Sequence, residues 1–346
     1  MRRAFAALLA ALSLAACAPT LQRAGRPDAG FSGPRLENHT FVSFDGARLG
    51  LTRWDAVGGP PKAVIIGVHG MNDYANAFHL AAPDWAARGI TTLAYDQRGF
   101  GRSPDRGLWA PDDLKVEDLR TIVALARQKY PGAVIAVAGE SLGGAVAIEA
   151  FASDRPPVAD RLILLAPAVW GWSRQPITYS GALWLADHLA PGWVVTPPRW
   201  LTSKIYPTDN VPEMIAMGQD PLMEWGARAD ALYGLVVTMQ NAWRETGQIR
   251  APTLYLYGAH DEIIPKRPAF EAAAHLPAGA RTAYYAKGWH LLLRDHQGAN
   301  VWADAAAFVL DPAGPLPSGA PPIPPPSAAK ALEKAAPGVV TKPPGA

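Results

Sequence analysis

Ala133-Val-Ile-Ala-Val-Ala-Gly-Glu-Ser-Leu-Gly143 decides how this chain is read. A short β-rich apolar run ends in Gly139-Glu-Ser141-Leu-Gly143, and the small-residue stretch Leu142–Ala152 that follows is suited to a helix. A G-x-S-x-G turn between strand and helix bends sharply at its glycines and leaves the serine oxygen exposed above the sheet, over a helix N-terminus. Ser141 is therefore the candidate nucleophile.

The same β-to-α rhythm extends outward. Lys62–Val68, Ile90–Tyr95, Arg161–Ala166, Thr253–Tyr257 and Arg281–Ala286 read as strands, and His39–Phe44 and Arg48–Trp54 as a hairpin closed by Asp45-Gly46. Helices are predicted over Ala75–Arg88, interrupted near Pro83, and over Val116–Tyr130, Pro268–His275 and Val301–Leu310. Alternation of this kind implies an α/β fold with a mostly parallel central sheet flanked by helices. In such sheets the site lies beyond the C-terminal strand ends. That rule selects His290, just past the last strand, as the base. Asp261, after Leu254-Tyr-Leu-Tyr-Gly258, is the acid that orients it, with Glu262 next door as the competing carboxylate. An acyl-transfer site also needs donors for a developing oxyanion. The backbone N–H groups of Leu142 and of Met71, after Val68-His-Gly70, are the candidates, and His69 is read as shaping that loop.

In this order the pieces resemble the α/β-hydrolase superfamily, and more narrowly its monoglyceride lipase/lysophospholipase group. His69-Gly70 and Asp96-Gln-Arg-Gly-Phe-Gly-Arg-Ser103 also match, and the likeness covers about 40–310. Where that group commonly reads H-G-x-G-E-H, this chain has His69-Gly-Met-Asn-Asp-Tyr74. The resemblance implies a serine hydrolase that cleaves carboxylic esters of lipophilic substrates without cofactor or metal. It also implies a helical cap between the sixth and seventh core strands, about 168–248. Seven of the twelve tryptophans fall there: Trp170, Trp172, Trp184, Trp193, Trp200, Trp225 and Trp243. Most are expected in the cap's own core, together roofing Ser141, with Trp170 and Trp172 as pocket walls. A peptidase, thioesterase or acyltransferase on the same three residues is the alternative, with Glu140, Asp73 and Glu224 available to anchor a peptide amine. A non-catalytic scaffold is a further one.

The ends are distinct from this domain. Met1-Arg2-Arg3, an apolar Ala4–Ala16 and Leu14-Ala-Ala-Cys17 resemble a bacterial lipoprotein signal, with Cys17 as the lipidated residue. That implies an envelope protein held by its N-terminal lipid, with Ala18 favouring the outer membrane, facing the periplasm. Residues 17–36 read as a lipidated tether and 37–311 as the hydrolase domain. Residues 312–346, with eleven prolines, read as a disordered tail. A net charge of +2 with no Lys/Arg run gives no case for a nucleic-acid partner, and none is expected.

Overall fold

The computed structural model describes residues 19–196 and 205–335. Residues 1–16, Cys17, Trp200 and the chain beyond 335 lie outside them. The sheet is built on β4 (Ala63–Val68), whose six residues are all buried. It is flanked by β5 (Ile90–Tyr95) on one side and by β6 (Val134–Glu140), β7 (Arg161–Leu165), β10 (Thr253–Gly258) and β11 (Arg281–Tyr285) on the other. These six strands are parallel. Alternation along β4 sends Val64, Ile66 and Val68 to one face, against α2 (Asp112–Lys129) and α3 (Leu142–Ala152). Ala63 and Ile65 go to the other, where α1 (Ala81–Ala87) and α8 (Gly298–Leu310) lie. A strand buried on both faces must be apolar throughout, which is why these runs read so plainly.

An antiparallel meander completes the sheet on the β5 side. It consists of β1 (Arg35–Leu36), β2 (Thr40–Val42) and β3 (Arg48–Trp54), giving nine strands in the order β1-β2-β3-β5-β4-β6-β7-β10-β11. The strand read at His39–Phe44 is shorter than expected because Ser43 already opens the turn, accepting the Gly46 N–H. Gly46 takes φ +81°, as the turn requires.

Between β7 and β10 the chain forms the cap: α4 (Ile177–Leu189), β8 (Val194–Val195), α5 (Val211–Gln219), β9 (Ala227–Arg228) and α6 (Ala229–Glu245). β8 and β9 pair with each other, apart from the main sheet. Tyr233 on α6 faces Trp172, and Trp109 of the sheet domain fills the space over Gly234.

Both termini depart from the sequence reading. The proline-rich segment from 312 to 335 is not a free tail. Its carbonyls serve as acceptors: Pro321 takes the Tyr284 N–H of β11, and Pro312 and Gly314 take the Arg281 guanidinium. Ile323 N–H donates to Thr282 Oγ1. The segment ends in α9 (Ala329–Ala335), which packs on α7 (Lys266–His275) with Ala329 in the core. Prolines cannot donate, but an extended chain presents its carbonyls outward, and Arg281 and Tyr284 of β11 use them. Nor are the described residues of 17–36 a tether. Gln22 is buried, with its N–H on Trp109 O and its Nε2 on Leu108 O, each at 2.9 Å. Leu36 lies in β1.

Candidate active site

The C-terminal ends of β4, β6, β10 and β11 converge, and the candidate residues stand on the loops that leave them. Ser141 takes φ 51°, ψ −116° at the apex between β6 and α3. For a residue with a Cβ this is a strained conformation, of the kind kept at functional turns. The turn is held by its backbone. Ser141 N–H donates to Leu165 O, while Ser141 O accepts from Ala145 and Ala168. Gly143 cannot carry a Cβ, which would run into Val68 and His69 backbone. Gly70 faces the serine so closely that a Cβ there would lie 3.2 Å from Ser141 Cβ. Met71 thus follows a residue in contact with Ser141, and Leu142 is the first residue of α3, where helical N–H groups have no helical partner.

Asp261 and His290 are brought together directly. The β10 and β11 loops are zipped by Ala259 N–H to Tyr285 O and His260 N–H to Gly288 O. Asp261 Oδ1 accepts the Ile263 and Ile264 N–H groups, which leaves Oδ2 to accept from His290 Nδ1 at 2.9 Å. Glu262 points away, accepting the Tyr206 N–H. His69 is no second base. Its Nε2 accepts the Gln97 N–H and its Nδ1–H donates to Gly70 O, and burial pushes its pKa down, so it is a neutral ring that shapes the loop. Trp170 donates its indole N–H to Arg174 O, and Trp172 packs on Tyr233 of α6, so both lie at the seam between the β7 loop and the cap.

Behind these loops is a buried ionic group that sequence reading missed. Arg294, four residues after His290, meets Asp73 Oδ2 at 2.5 Å and Glu140 Oε2 at 3.1 Å. All three side chains are buried. Burial alone works against the Arg294 charge, but the two carboxylates outweigh it and its pKa rises; burial holds the Glu140 carboxyl above the usual carboxylate range. Asp73 and Glu140, read from sequence as possible anchors for a peptide amine, are therefore already engaged inside the protein. The available signal was an arginine placed directly after the apolar run Leu291–Leu293 that follows His290.

The model of the Hydrolase_4 family, described as serine aminopeptidase, S33, matches residues 59–297. The chain belongs to this family. The chain is similar to the monoacylglycerol lipase of Mycolicibacterium smegmatis, 29% identical over 233 residues, covering 66% of this chain and 80% of that one. It is also similar to the Homo sapiens monoglyceride lipase, 25% identical over 233 residues, 66% and 75% of the two chains. A solved soluble variant of the Saccharomyces cerevisiae monoglyceride lipase superposes with a TM-score of 0.67 at 17% identity, over 82% of this chain and 97% of that one. The fold is that of the α/β-hydrolases.

In this S33-family hydrolase the electrostatics of the candidate base carry a measurable consequence. Burial pushes the His290 imidazole down, and the charge and hydrogen bond of Asp261, assisted by Glu140, more than reverse it, leaving His290 above the usual histidine range. A base must be neutral to accept a proton, so kcat/KM is expected to rise with pH through an inflection above about 6.5. Asp261→Asn removes the charge that favours imidazolium, so the inflection should move to lower pH. It also frees the wrong tautomer, with kcat falling about ten-thousand-fold. The pH–rate profiles of parent and variant test both; an inflection unmoved in Asp261→Asn would separate it from His290.

Proposed function

We propose that this protein is a serine hydrolase of carboxylic esters with lipophilic acyl groups, monoacylglycerols or lysophospholipids. The reading rests on one observation: an imidazole backed by a carboxylate, His290 on Asp261, stands at the same rim as a serine in a strained turn. In the proposed reaction Ser141 Oγ attacks the ester carbonyl while His290 Nε2 takes its proton. The Asp261 carboxylate keeps Nδ1 protonated and stabilises the imidazolium. The N–H groups of Met71 and Leu142 hold the oxyanion, each worth about 2.7–4 kcal/mol to the transition state. His290 then protonates the departing alcohol, and a water deprotonated by the same ring releases the acid from Ser141. Trp170, two residues beyond Ala168, whose N–H is bonded to Ser141 O, and Trp172 line the acyl side in this proposal.

An ester is favoured over a peptide by the state of the carboxylates. An aminopeptidase must offer a free negative group to the substrate ammonium. Here Asp73 and Glu140 are both held by Arg294, and Glu224 lies 3.5 Å from Arg106 with its N–H on Asn72 O. The named relatives are monoglyceride lipases, which supports the same choice. The proposal includes acylation at Cys17 and residence in the bacterial envelope, on the outer membrane facing the periplasm. The deciding experiment compares a monoacylglycerol, a lysophospholipid and p-nitrophenyl esters of rising acyl length with aminoacyl p-nitroanilides. Ester turnover is expected with a broad length optimum, since one methylene contributes only about 1–3 kcal/mol of discrimination. Preferential cleavage of the anilides would overturn the ester reading in favour of the peptidase.

A further inference from the structure

The exposed tryptophans of the cap do not hold it to the sheet domain. Trp184, Trp193 and Trp225 are each more than half exposed, so the expectation that cap tryptophans form the cap's own core fails for them. A firm hold lies instead in a short stretch just before α5. Each residue from Tyr206 to Asn210 meets one of the two loops that carry the candidate acid and base. Tyr206 N–H donates to Glu262 Oε2 at 2.8 Å, beside Asp261. Pro207 O accepts the Leu291 N–H at 2.8 Å, directly after His290. Thr208, fully buried, sets its side chain against Asp295. Asp209 Oδ1 accepts the His296 N–H at 2.8 Å, and Asn210 Nδ2 donates to Arg294 O at 3.0 Å.

Asp295 is the side chain at the centre of these contacts. Its Oδ2 accepts the Trp289 N–H at 2.7 Å, which closes the run Trp289–Asp295 into a loop with His290 inside it. Trp289 is fixed from two further directions. Its ring stacks on His260 at 5.2 Å between centroids and meets Tyr206 edge-on at 6.3 Å. Asp295 O accepts the Gly298 N–H, which starts α8. The carboxylate holds this place at a cost: it is 4% exposed, and Oδ1 has no hydrogen-bond partner. Burial, with Asp209 and Glu140 adding to it, pushes its pKa up to about 7 against the Trp289 N–H and the Thr208 side chain. A half-satisfied buried carboxylate is expensive, and such groups cluster where a site needs them.

We propose that Asp295 is a positioning residue for His290, and that the cap stretch 206–210 sets the base through it. Asp261 orients the imidazole ring, whereas Asp295 fixes the main chain from which that ring hangs. Holding the Trp289 N–H keeps the loop from turning His290 Nε2 away from Ser141 Oγ. The cap is thereby part of the support of the base, besides covering the site. This inference rests on Ser141 and His290 acting as nucleophile and base, and not on which bond they cleave.

The test measures how fast a fluorophosphonate labels Ser141, together with kcat and KM on an ester that the parent cleaves. Asp295→Ala is expected to lower the labelling rate and kcat about a hundred-fold, as a displacement of about 1 Å does, with KM within about twofold. Asp295→Asn keeps an acceptor oxygen for the Trp289 N–H, so most of the rate should return. Thr208→Val removes only a hydroxyl on the cap side. It should show the same split between kcat and KM at smaller size, and it decides the matter if Asp295→Ala fails to fold. Melting curves of each variant separate loss of rate from loss of folded protein. A labelling rate within about twofold of the parent in each folded variant of these two would overturn the proposal. So would Asp295→Asn falling as far as Asp295→Ala. A parent that labels but cleaves no ester loses the ester assignment alone, and the labelling rates then decide this proposal by themselves.

Discussion

Ser141→Ala is expected to lower kcat toward any ester substrate by about a million-fold while the protein folds as before. The size of the loss follows from the proposed mechanism, in which no acyl-enzyme forms without the hydroxyl and the imidazole has nothing to deprotonate. Residual catalysis of about a thousand- to ten-thousand-fold over water should persist from oxyanion donors and binding alone. Folding is spared because the bonds that hold the turn, Ser141 N–H to Leu165 and Ser141 O to Ala145 and Ala168, are all backbone. Substrate affinity should change little, since the hydroxyl acts in bond formation rather than in binding. Single-turnover kinetics with a chromogenic ester, together with loss of labelling by a fluorophosphonate, check the prediction. Turnover within tenfold of the parent would move the nucleophile elsewhere.

The second large effect is on stability. Arg294→Met should leave Asp73 and Glu140 as two buried carboxylates with no cation, and breaking a buried pair in this way costs about 3–5 kcal/mol. That is a large share of a typical domain's total stability of about 5–15 kcal/mol. The pH dependence follows from Glu140, which burial already holds above the usual carboxylate range. An acid raised in the folded state supports folding when protonated and opposes it as pH rises through the raised value. Losing Arg294 raises it further, so the deficit should be larger at pH 8 than at pH 5. Urea unfolding at the two pH values measures this; equal midpoints for parent and variant at pH 8 would refute it. Activity should fall as well, because Arg294 ties together three loops. Asp73 is two residues after Met71, Glu140 precedes Ser141, and Arg294 itself follows His290. Arg294→Lys restores the charge but not the planar fork, so recovery should be partial.

What the sequence made legible was what local chemistry controls. Strands buried on both faces, such as Ala63–Val68, had to be apolar runs, and the serine turn needed its glycines within a few residues. Strand ends then narrowed the candidates for acid and base. The ring of Arg294 contacts was not legible, because its partners lie 154 and 221 residues away in the chain and a buried charge has no periodic signature. Gln22 escaped notice similarly, its carbonyl partners being more than eighty residues distant. The proline-rich segment was misread because composition reports what a chain can donate and bury by itself. It says nothing of the acceptors that segment offers to another strand. The cap was predicted in position but not in orientation: α4 has the helical stripe, and periodicity alone does not say whether the stripe faces the domain or the outside.

The course of residues 312–335 also bears on how this protein keeps to itself. β11 is the last strand on its side, and such a strand ordinarily offers a row of free N–H and C=O groups to any other extended chain. Here Pro321 O takes the Tyr284 N–H, and Ile323 turns to the Thr282 side chain. The strap accepts without being able to donate at its prolines, so it closes the sheet where another strand would have lengthened it. The proline-rich stretch 312–326 thereby covers this edge with residues that, at their prolines, cannot themselves propagate a sheet.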